Sequence, residues 1–244
     1  MKSYPINIKS FGECAVLVEW PPKVDESILM DILDFVDSFK ALKIPGWEMV
    51  IAYNSVTMVN NEDPVDFKKI ESLITDCYSG RHGSKITRQH NLWNIPVCYD
   101  LEFGTDLQEV SKTLDLSIEE LIAQHTSHQY IVYGIGFLPG FMYLGGLPKS
   151  LEVPRRSEPR LAVAKGSVGL AGKQTGVYPQ DSPGGWNIIG NCPIPLFNPK
   201  LQEPCFVKVG DKVQFHAISK AEYDLHKIEG EVGIYKPEKV VLNA

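Results

Sequence analysis

The sequence predicts an α+β protein built from two units, residues 1–85 and residues 86–244. Three observations lead to this prediction. In the first unit, apolar residues recur at helical spacing in two segments that alternate with short β-type runs. After Gln129 the apolar runs become short and are separated by turn residues. Glycine and proline are concentrated between Gly134 and Pro199, where 12 of the 20 glycines and 9 of the 17 prolines lie, and this density excludes long helices there.

The first unit is predicted to place two helices on one face of a small antiparallel sheet. Residues 25–39 carry apolar side chains three and four positions apart, and a second helix is predicted to begin at Pro64. The predicted strands of this unit are 4–8, 14–20, 49–53 and 56–59. The polar segment 79–85, which contains glycine, is predicted to link the two units.

The second unit is predicted to begin with a strand at 93–99 and to continue into two helices. Two capping boxes, Thr105 with Gln108 and Ser117 with Glu120, indicate helices at 106–113 and 118–126. Further short strands are predicted at 130–133, 162–163, 167–170, 187–189, 205–207 and 213–216. Many short strands separated by glycine and proline favour a compact barrel or sandwich.

Composition excludes several classes of protein. The net charge of −6 and the pI near 5.5 argue against nucleic acid or an anionic membrane as the main partner. The five cysteines are scattered and form no C-x-x-C pair, so a reduced, cytoplasmic setting is expected. Lys9 and Glu13 interrupt any N-terminal signal sequence. The uncharged stretch 130–147 contains Pro139 and several glycines, which favour buried strand and loop over a membrane span.

Familiar catalytic and cofactor motifs fail on spacing. The glycines that follow Gly134 do not fit the dinucleotide-binding fingerprint, and residues 172–174 (Gly-Lys-Gln) lack the Ser or Thr of a phosphate-binding loop. His125 and His128 are three positions apart, but no cysteine or carboxylate pair supports a shared metal ion, so no metal site is predicted. Cys192 is expected to be a packing residue rather than a nucleophile.

Residues 136–193 carry the strongest functional signal. Three arginines supply planar donor groups that suit a carboxylate or a phosphate, namely Arg155, Arg156 and Arg160. Lys165 and Lys173 add positive charge. Aromatic and neutral polar side chains lie around them in the sequence: Phe137, Phe141, Tyr143, Ser167, Gln174, Thr175, Tyr178, Ser182 and Trp186. The combination predicts a site for a small acid or a phosphorylated ligand.

The same residues also allow a purely structural interpretation. The arginines could pair with Glu152 and Glu158 in a solvated surface network. The aromatic side chains could fill the core, and Gly184-Gly185 could simply form a turn after Pro183. The density of such residues in one segment favours a site over this alternative.

This segment resembles the family variously called the B subunit of 5-oxoprolinase, allophanate hydrolase subunit 1 and Kip inhibitor. The matching stretches are Gly136–Leu147, Pro154-Arg155, Pro159-Arg160, Gly166–Gly169, Ala171-Gly172, Gln174–Gly176, Tyr178-Pro179 and Ser182–Trp186. His125 also falls where the family has a histidine. The sequence departs from the family pattern at Ala164-Lys165, where Pro-Ala or similar is usual, and at Asn191-Cys192, where Arg-Thr is common. If the missing arginine holds substrate, either Lys165 replaces it or the ligand differs.

The resemblance implies a ferredoxin-like α/β domain followed by a cyclophilin-like β-barrel domain of the carboxyltransferase C/D type. It also implies two protein partners, a homologue of the 5-oxoprolinase C subunit with a second barrel and a homologue of its A subunit. The implied activity is the ATP-dependent opening of 5-oxo-L-proline, a small acidic substrate, to L-glutamate. ATP would be a co-substrate together with Mg²⁺, and no tightly bound cofactor is expected.

The resemblance also suggests roles for single residues. Arg155 and Arg160 would hold the substrate carboxylate or a phosphate, with Lys165 as a further cation, and His125 would transfer a proton. The substrate-binding set would be Phe137, Phe141, Ser167, Gln174, Thr175, Tyr178, Ser182 and Trp186. Two other functions stay open: a non-catalytic inhibitor of a sensor histidine kinase, and half of a biotin-dependent carboxyltransferase of the urea carboxylase type.

Overall fold

The computed structural model describes residues 4–80 and 88–243. Contacts divide the chain into two compact units, Met1–Arg88 and Gln89–Ala244. The predicted linker at 79–85 lies mostly outside the described residues. Helices and largely antiparallel strands are combined, which confirms the predicted mixed fold class. None of the helices in the described ranges is long and apolar enough to cross a membrane.

The first unit contains four strands and two helices. Its elements are β1 (Asn7–Ser10), β2 (Ala15–Glu19), α1 (Glu26–Ala41), β3 (Trp47–Ala52), β4 (Ser55–Asn60) and α2 (Phe67–Gly80). The sheet has the order β1-β2-β4-β3, and every neighbouring pair is antiparallel. The first strand of the chain therefore occupies the sheet edge beside β2.

Helix α1 forms where the apolar spacing predicts it. Asp25 caps its N-terminus, since its side chain accepts a 2.8 Å hydrogen bond from the backbone N–H of Ser27. The buried face of α1 packs with β2, β4 and α2 around one core. Within that core Asp31 accepts hydrogen bonds of 2.7 Å from Trp20 Nε1 and from the Tyr78 hydroxyl. A buried carboxylate thus joins α1 to α2 and to the residue that follows β2.

The second unit contains ten strands and three α-helices. Its elements are β5 (Gln89–Val97), α3 (Leu107–Thr113), α4 (Ile118–Ser127), β6 (Gln129–Ile135), β7 (Met142–Gly145), β8 (Arg160–Val163), β9 (Ser167–Ala171), β10 (Gln174–Val177), β11 (Ser182–Gly184), β12 (Asn187–Asn191), β13 (Lys212–Ala217), α5 (Lys220–Glu231) and β14 (Glu238–Asn243). A single 3-10 turn, Lys149–Leu151, follows β7.

Eight of these strands form one curved path in the order β14-β5-β13-β6-β7-β10-β9-β12. The β5–β13 pair is parallel and the other pairs are antiparallel. The path is not the closed barrel expected from the sequence, because no continuous ladder joins β12 back to β5 in the described residues. One isolated bridge connects them, in which Cys98 and Asn191 exchange two backbone hydrogen bonds of 2.9 Å.

The remaining two strands, β8 and β11, form a separate antiparallel ribbon. Val163 pairs with Ser182 at one end, and Arg160 pairs with Gly184 at the other. The register shifts between Ser182 and Gly184. This ribbon carries several of the residues predicted to form the site.

Some sequence-based predictions differ from the structure. Helix α2 begins at Phe67 rather than at Pro64, and 205–207 is not a strand. Ser117 and Glu120 form the predicted capping box of α4, whereas α3 has Asp106 as its N-cap and Thr105 forms no such box. Five elements have no counterpart among the predicted ones: strands β7, β10, β11 and β14 and helix α5.

Candidate functional site

Asp106 organises the arginines of the predicted site. It is 3% exposed, and its Oδ1 accepts hydrogen bonds from Arg160 Nη2 at 2.5 Å and from Arg156 Nη1 at 3.0 Å. Its Oδ2 accepts one from the backbone N–H of Ile188 at 2.6 Å. Arg156 Nη1 also lies 3.3 Å from Glu109 Oε2. The two arginines therefore share one buried carboxylate that is fixed to β12.

This arrangement corrects the expected surface network. Within the described ranges, neither Glu152 nor Glu158 forms an ion pair with the arginines, whose partners are Asp106 and Glu109. Two N–H groups of the cluster, Arg156 Nε and Arg160 Nη1, are buried and lack a hydrogen-bond partner in the part of the chain described. Unpaired buried donors of this kind suit an additional oxygen acceptor.

A cavity of about 350 Å³ adjoins this cluster. We call it the arginine cavity, and its lining includes Glu109, Arg155, Arg156, Ser157, Glu158 and Asn187. Arg155 is exposed and forms no ion pair with any described residue. Its planar donor group is therefore available to a ligand, unlike those of Arg156 and Arg160, which Asp106 holds.

An aromatic cluster lies close to the arginines. Phe141, Tyr178 and Trp186 are buried and meet edge to face, with ring centroids 5.4 to 6.3 Å apart. Burial raises the pKa of Tyr178, while the charges of Arg155 and Arg160 act in the opposite direction. Those arginines are thus close enough to the Tyr178 phenol to influence it electrostatically.

Phe137 lies at the exposed margin of this cluster. Its ring is 5.7 Å from that of Phe141 in an edge-to-face contact, but the residue is 65% exposed. Its φ of 66° places it in the left-handed region, which is costly for a residue with a side chain. Phe137 thus combines an unfavourable backbone conformation with a largely exposed aromatic ring.

His125 and Thr175 do not join the arginines. His125 is fully buried at the end of α4 and stacks on Phe215 at 4.6 Å. Its Nδ1 lies 2.7 Å from the Tyr99 hydroxyl and its Nε2 lies 2.9 Å from Thr175 Oγ1. Because Thr175 donates its proton to Gly169 O at 3.1 Å, it accepts from His125, and Nδ1 accepts from Tyr99.

This chain of hydrogen bonds requires a neutral imidazole. Burial lowers the pKa of His125 from 6.5 to about 3, and the nearby His128 adds to the effect. A side chain without exposed surface cannot meet a substrate directly, so the predicted proton transfer by His125 needs correction. Its position fits a role in holding α4 against β10. The described residues contain no group of three or more His, Cys, Asp or Glu side chains suited to a metal ion.

Lys165 also lies apart from the arginine cavity. It follows β8 and lines a second cavity together with Asn191 and Cys192. The two positions at which the sequence departs from the family pattern thus meet here, since Asn191 Nδ2 donates a 3.0 Å hydrogen bond to Lys165 O. Cys192 is 3% exposed, and burial raises the pKa of its thiol to about 12, which agrees with a packing role.

The other predicted binding residues are divided between these places. Ser167 is buried in β9, and Ser182 is buried in the ribbon, where its hydroxyl donates to Pro183 O at 3.2 Å. Gln174 is half-buried at the start of β10. The structure thus brings Arg155, Arg160, Phe141, Tyr178 and Trp186 together, and it separates His125, Thr175 and Lys165 from them.

Sequence reasoning misses Asp106, the residue on which the cluster depends. An aspartate beside the start of a helix has the local signature of a cap, but its side chain makes no capping hydrogen bond here. The arginines that bind Asp106 lie 50 and 54 residues further along the chain. Contacts between residues so far apart leave no periodic pattern in the sequence. The sequence also gives Arg156 no role distinct from that of its neighbours.

Comparison with known proteins agrees with this architecture. Residues 6–207 match the family described as carboxyltransferase domain, subdomain C and D. A Bacillus subtilis (strain 168) protein named as the B subunit of 5-oxoprolinase is 36% identical over 233 residues, which cover 91% of this chain and 97% of that protein. An Escherichia coli O157:H7 protein of the same name is 36% identical over 84% of this chain and 92% of its own length.

Among solved structures, TTHA0988 is 30% identical and superposes with a TM-score of 0.72 over 84% of this chain. The chain spans only 40% of that protein's length. The fold and the matched residues define a carboxyltransferase-type domain. The chain belongs to the carboxyltransferase C and D subdomain family, which includes the proteins named as the B subunit of 5-oxoprolinase.

Proposed function

We propose that this chain is one component of an ATP-dependent 5-oxoprolinase that opens 5-oxo-L-proline to L-glutamate together with homologues of the C and A subunits. The observation that carries the proposal is the arginine cavity, which presents the unpaired guanidinium group of Arg155 in a chain similar to proteins named as the B subunit of 5-oxoprolinase. The substrate is a small acid with one carboxylate, and this is the group that a free arginine binds best.

The chemistry explains why the proposed reaction needs cations. A lactam carbonyl is a poor electrophile, so transfer of the γ-phosphoryl group of ATP to its oxygen would create a leaving group. Water would then add to the carbon, and the C–N bond would break as the ring nitrogen takes a proton and leaves as the amine. A second water would hydrolyse the resulting γ-glutamyl phosphate to glutamate and phosphate. Negative charge gathers on oxygen during these steps, and fixed guanidinium groups stabilise it. Mg²⁺ would arrive with the nucleotide.

Each residue near the cavity has a proposed part in this scheme. Arg155 binds the substrate carboxylate, and Arg160, held by Asp106, stabilises the phosphorylated oxygen. Tyr178, Phe141 and Trp186 are buried and do not line the cavity, so they act as positioning residues, as does Ser182 on β11. His125 acts as a positioning residue through Thr175 rather than as the proton carrier.

We also propose a specific fold type for each of the two units. The strand order β1-β2-β4-β3 with two helices supports a ferredoxin-like first domain, residues 1–85, whose edge strand comes from the N-terminus. The path of eight strands in the second unit, residues 86–244, supports a cyclophilin-like barrel that is open between β12 and β5 except for the Cys98–Asn191 bridge. A heteromeric, cytoplasmic assembly with the C-subunit and A-subunit homologues completes the proposal.

A carboxyltransferase is the second candidate, because the matched family is described by that activity. The Kluyveromyces lactis urea amidolyase superposes with a TM-score of 0.82 over 99% of this chain and 16% of its own chain. At 17% identity, this similarity concerns the fold alone. A carboxyltransferase would require a biotinylated partner, whereas the oxoprolinase would not.

The test combines the purified chain with its C-subunit and A-subunit homologues, ATP, Mg²⁺ and 5-oxo-L-proline. We expect glutamate and ADP to form together, and Arg155→Gln to lower kcat/KM roughly 10- to 100-fold through loss of a charged hydrogen bond. Lys149→Met, an exposed change outside the cavity, should have no effect. Glutamate formation that does not depend on this chain would contradict the function, and an active Arg155→Gln variant would contradict only the assigned site.

A further inference from the structure

A second cavity in the second unit contains none of the residues that line the arginine cavity. It measures about 400 Å³, and its lining includes Phe103, Lys165, Asp181, Asn191, Tyr223 and Lys227. We call it the lysine cavity. It lies at the far end of the β8–β11 ribbon, because Asp181 immediately precedes Ser182 of the Val163–Ser182 pair and Lys165 follows Val163 by two residues. Arg160 and Gly184 form the end of the ribbon that faces Asp106.

The floor of the lysine cavity is held by hydrogen bonds and close packing. Asn191 is 6% exposed, and both ends of its amide are used: Nδ2 donates to Lys165 O, and Oδ1 accepts a 3.0 Å hydrogen bond from the Tyr223 hydroxyl. Gly166 has a φ of 83°, and a Cβ atom there would collide with the Asn191 side chain and Cys192 O. The backbone of the Lys165 loop is therefore fixed against β12.

The two lysines of this cavity form no close ion pair in the described part of the chain, although the carboxylates of Asp181 and Glu231 also line it. Lys165 and Lys227 are exposed and form no ion pair with any described residue. Lys220, on the same helix as Lys227, does have an ion-pair partner, because both carboxylate oxygens of Asp224 lie 2.6 Å from its Nζ. Asp181 is also engaged, because its Oδ1 accepts the backbone N–H of Lys165 at 2.6 Å.

The remaining wall is apolar and partly flat. Phe103 and Tyr223 pack against each other with their ring centroids 4.3 Å apart, and Pro193 and Pro195 extend the surface. Two ammonium groups without an ion-pair partner, beside an apolar wall, suit a molecule with an anionic group at one end and a flat or apolar body at the other.

We propose that the lysine cavity is a second ligand site, which binds a small organic anion through Lys165 and Lys227. The anionic group is a carboxylate or a phosphate, and Phe103 with the two prolines contacts the body of the ligand. The proposal rests on the geometry of this cavity and stands apart from the 5-oxoprolinase activity. It assigns Lys165 to this site and not to the arginine cavity.

Isothermal calorimetry on the full chain tests the proposal with three probes: 5-oxo-L-proline, ADP and inorganic phosphate. The first carries a carboxylate, the second a phosphate on a flat body, and the third the phosphate alone. We expect 5-oxo-L-proline or ADP to bind, and Lys165→Met and Lys227→Met each to raise its Kd about tenfold, the loss of one charged contact. Lys149→Met should change Kd less than about twofold.

Three results would overturn the proposal. The first is that neither organic probe binds at millimolar concentration. The second is that both lysine variants bind like the unmodified chain. The third is that Arg155→Gln, rather than either lysine variant, abolishes binding, which would place the ligand in the arginine cavity. Because calorimetry needs neither partner proteins nor turnover, its outcome is independent of whether the chain supports 5-oxoprolinase activity.

Discussion

Asp106 and Arg160 are joined by a 2.5 Å hydrogen bond, although they lie 54 residues apart in the sequence. The same carboxylate oxygen binds Arg156, and the other oxygen accepts the Ile188 amide. One buried charge therefore attaches two guanidinium groups to strand β12. The position of both arginines depends on this residue more than on their own segment.

Replacing Asp106 should therefore be costly. Asp106→Asn leaves the partly buried Arg160 without a counter-charge and Arg156 with only the exposed Glu109, and we expect a loss of about 2 to 4 kcal/mol in the free energy of unfolding. Glu109→Gln is the matched control, because Glu109 is a 70% exposed partner of Arg156 and its loss should cost less than about 1 kcal/mol. Urea denaturation measures both changes, and equal losses would contradict the central role of Asp106.

The buried histidine predicts a pH dependence of stability. The unfolded chain binds a proton at His125 near pH 6.5, whereas the folded chain does so only near pH 3. The contribution of this group is therefore complete above pH 6.5 and is lost as the pH falls toward 3. Between pH 7 and pH 5 we expect His125 to account for a loss of about 2 kcal/mol in the free energy of unfolding.

His125→Gln isolates this effect, because glutamine keeps a donor for Thr175 but does not titrate. Denaturation curves at pH 7 and pH 5 should show a smaller difference for the variant than for the unmodified chain. His216, whose pKa is also lowered by burial, is present in both proteins and cancels in the comparison. An unchanged pH dependence would show that His125 is accessible to protons in the folded state.

Gly184 is required by the phenol of Tyr178. A Cβ atom at position 184 would overlap the Tyr178 hydroxyl and approach two of its ring carbons at 2.8 Å. Gly184→Ala should therefore displace a fully buried ring and cost about 1 to 3 kcal/mol. Gly80→Ala is the control, because no atom of the described residues outside its own helix and its chain neighbours lies within 4 Å of its Cβ position, and thermal unfolding should show it to be neutral.

The helix caps offer a prediction with an internal comparison. Ser117→Ala removes the side chain on which the capping box of α4 depends and should lower the free energy of unfolding by about 1 kcal/mol. Thr105→Ala removes the hydroxyl of a pattern that looks identical in the sequence but forms no box in the structure. Its effect should be within about 0.5 kcal/mol, and a loss equal to that of Ser117→Ala would contradict the observed cap.

These cases show what the sequence can predict. Helix α1 and the α4 box depend on local spacing, and both predictions are confirmed. The cap predicted at Thr105 is wrong, since Asp106 is the N-cap of α3 and its carboxylate binds Ile188 on β12, Arg156 and Arg160. The interactions of His125 are likewise non-local, since its partners lie 26 and 50 residues away. Sequence position alone cannot distinguish a catalytic histidine from a buried one.

The site is predictable in composition but not in arrangement. Segment 136–193 does hold the arginines and the aromatic cluster, yet it contributes to two cavities instead of one. Lys165 is five residues from Arg160. In an extended strand, five residues span a distance longer than a small ligand, so both side chains cannot contact the same molecule. Strand pairing, which the sequence does not reveal, decides which residues meet.

The β8–β11 ribbon connects the surroundings of the two cavities. Four residues of β8, about 10 Å of extended chain, connect the arginine that Asp106 holds to the loop that carries Lys165. A ligand that tightens one end of this ribbon would change the freedom of the other. Thermodynamic linkage then requires the effect to be reciprocal, so each ligand would alter the affinity for the other by the same factor.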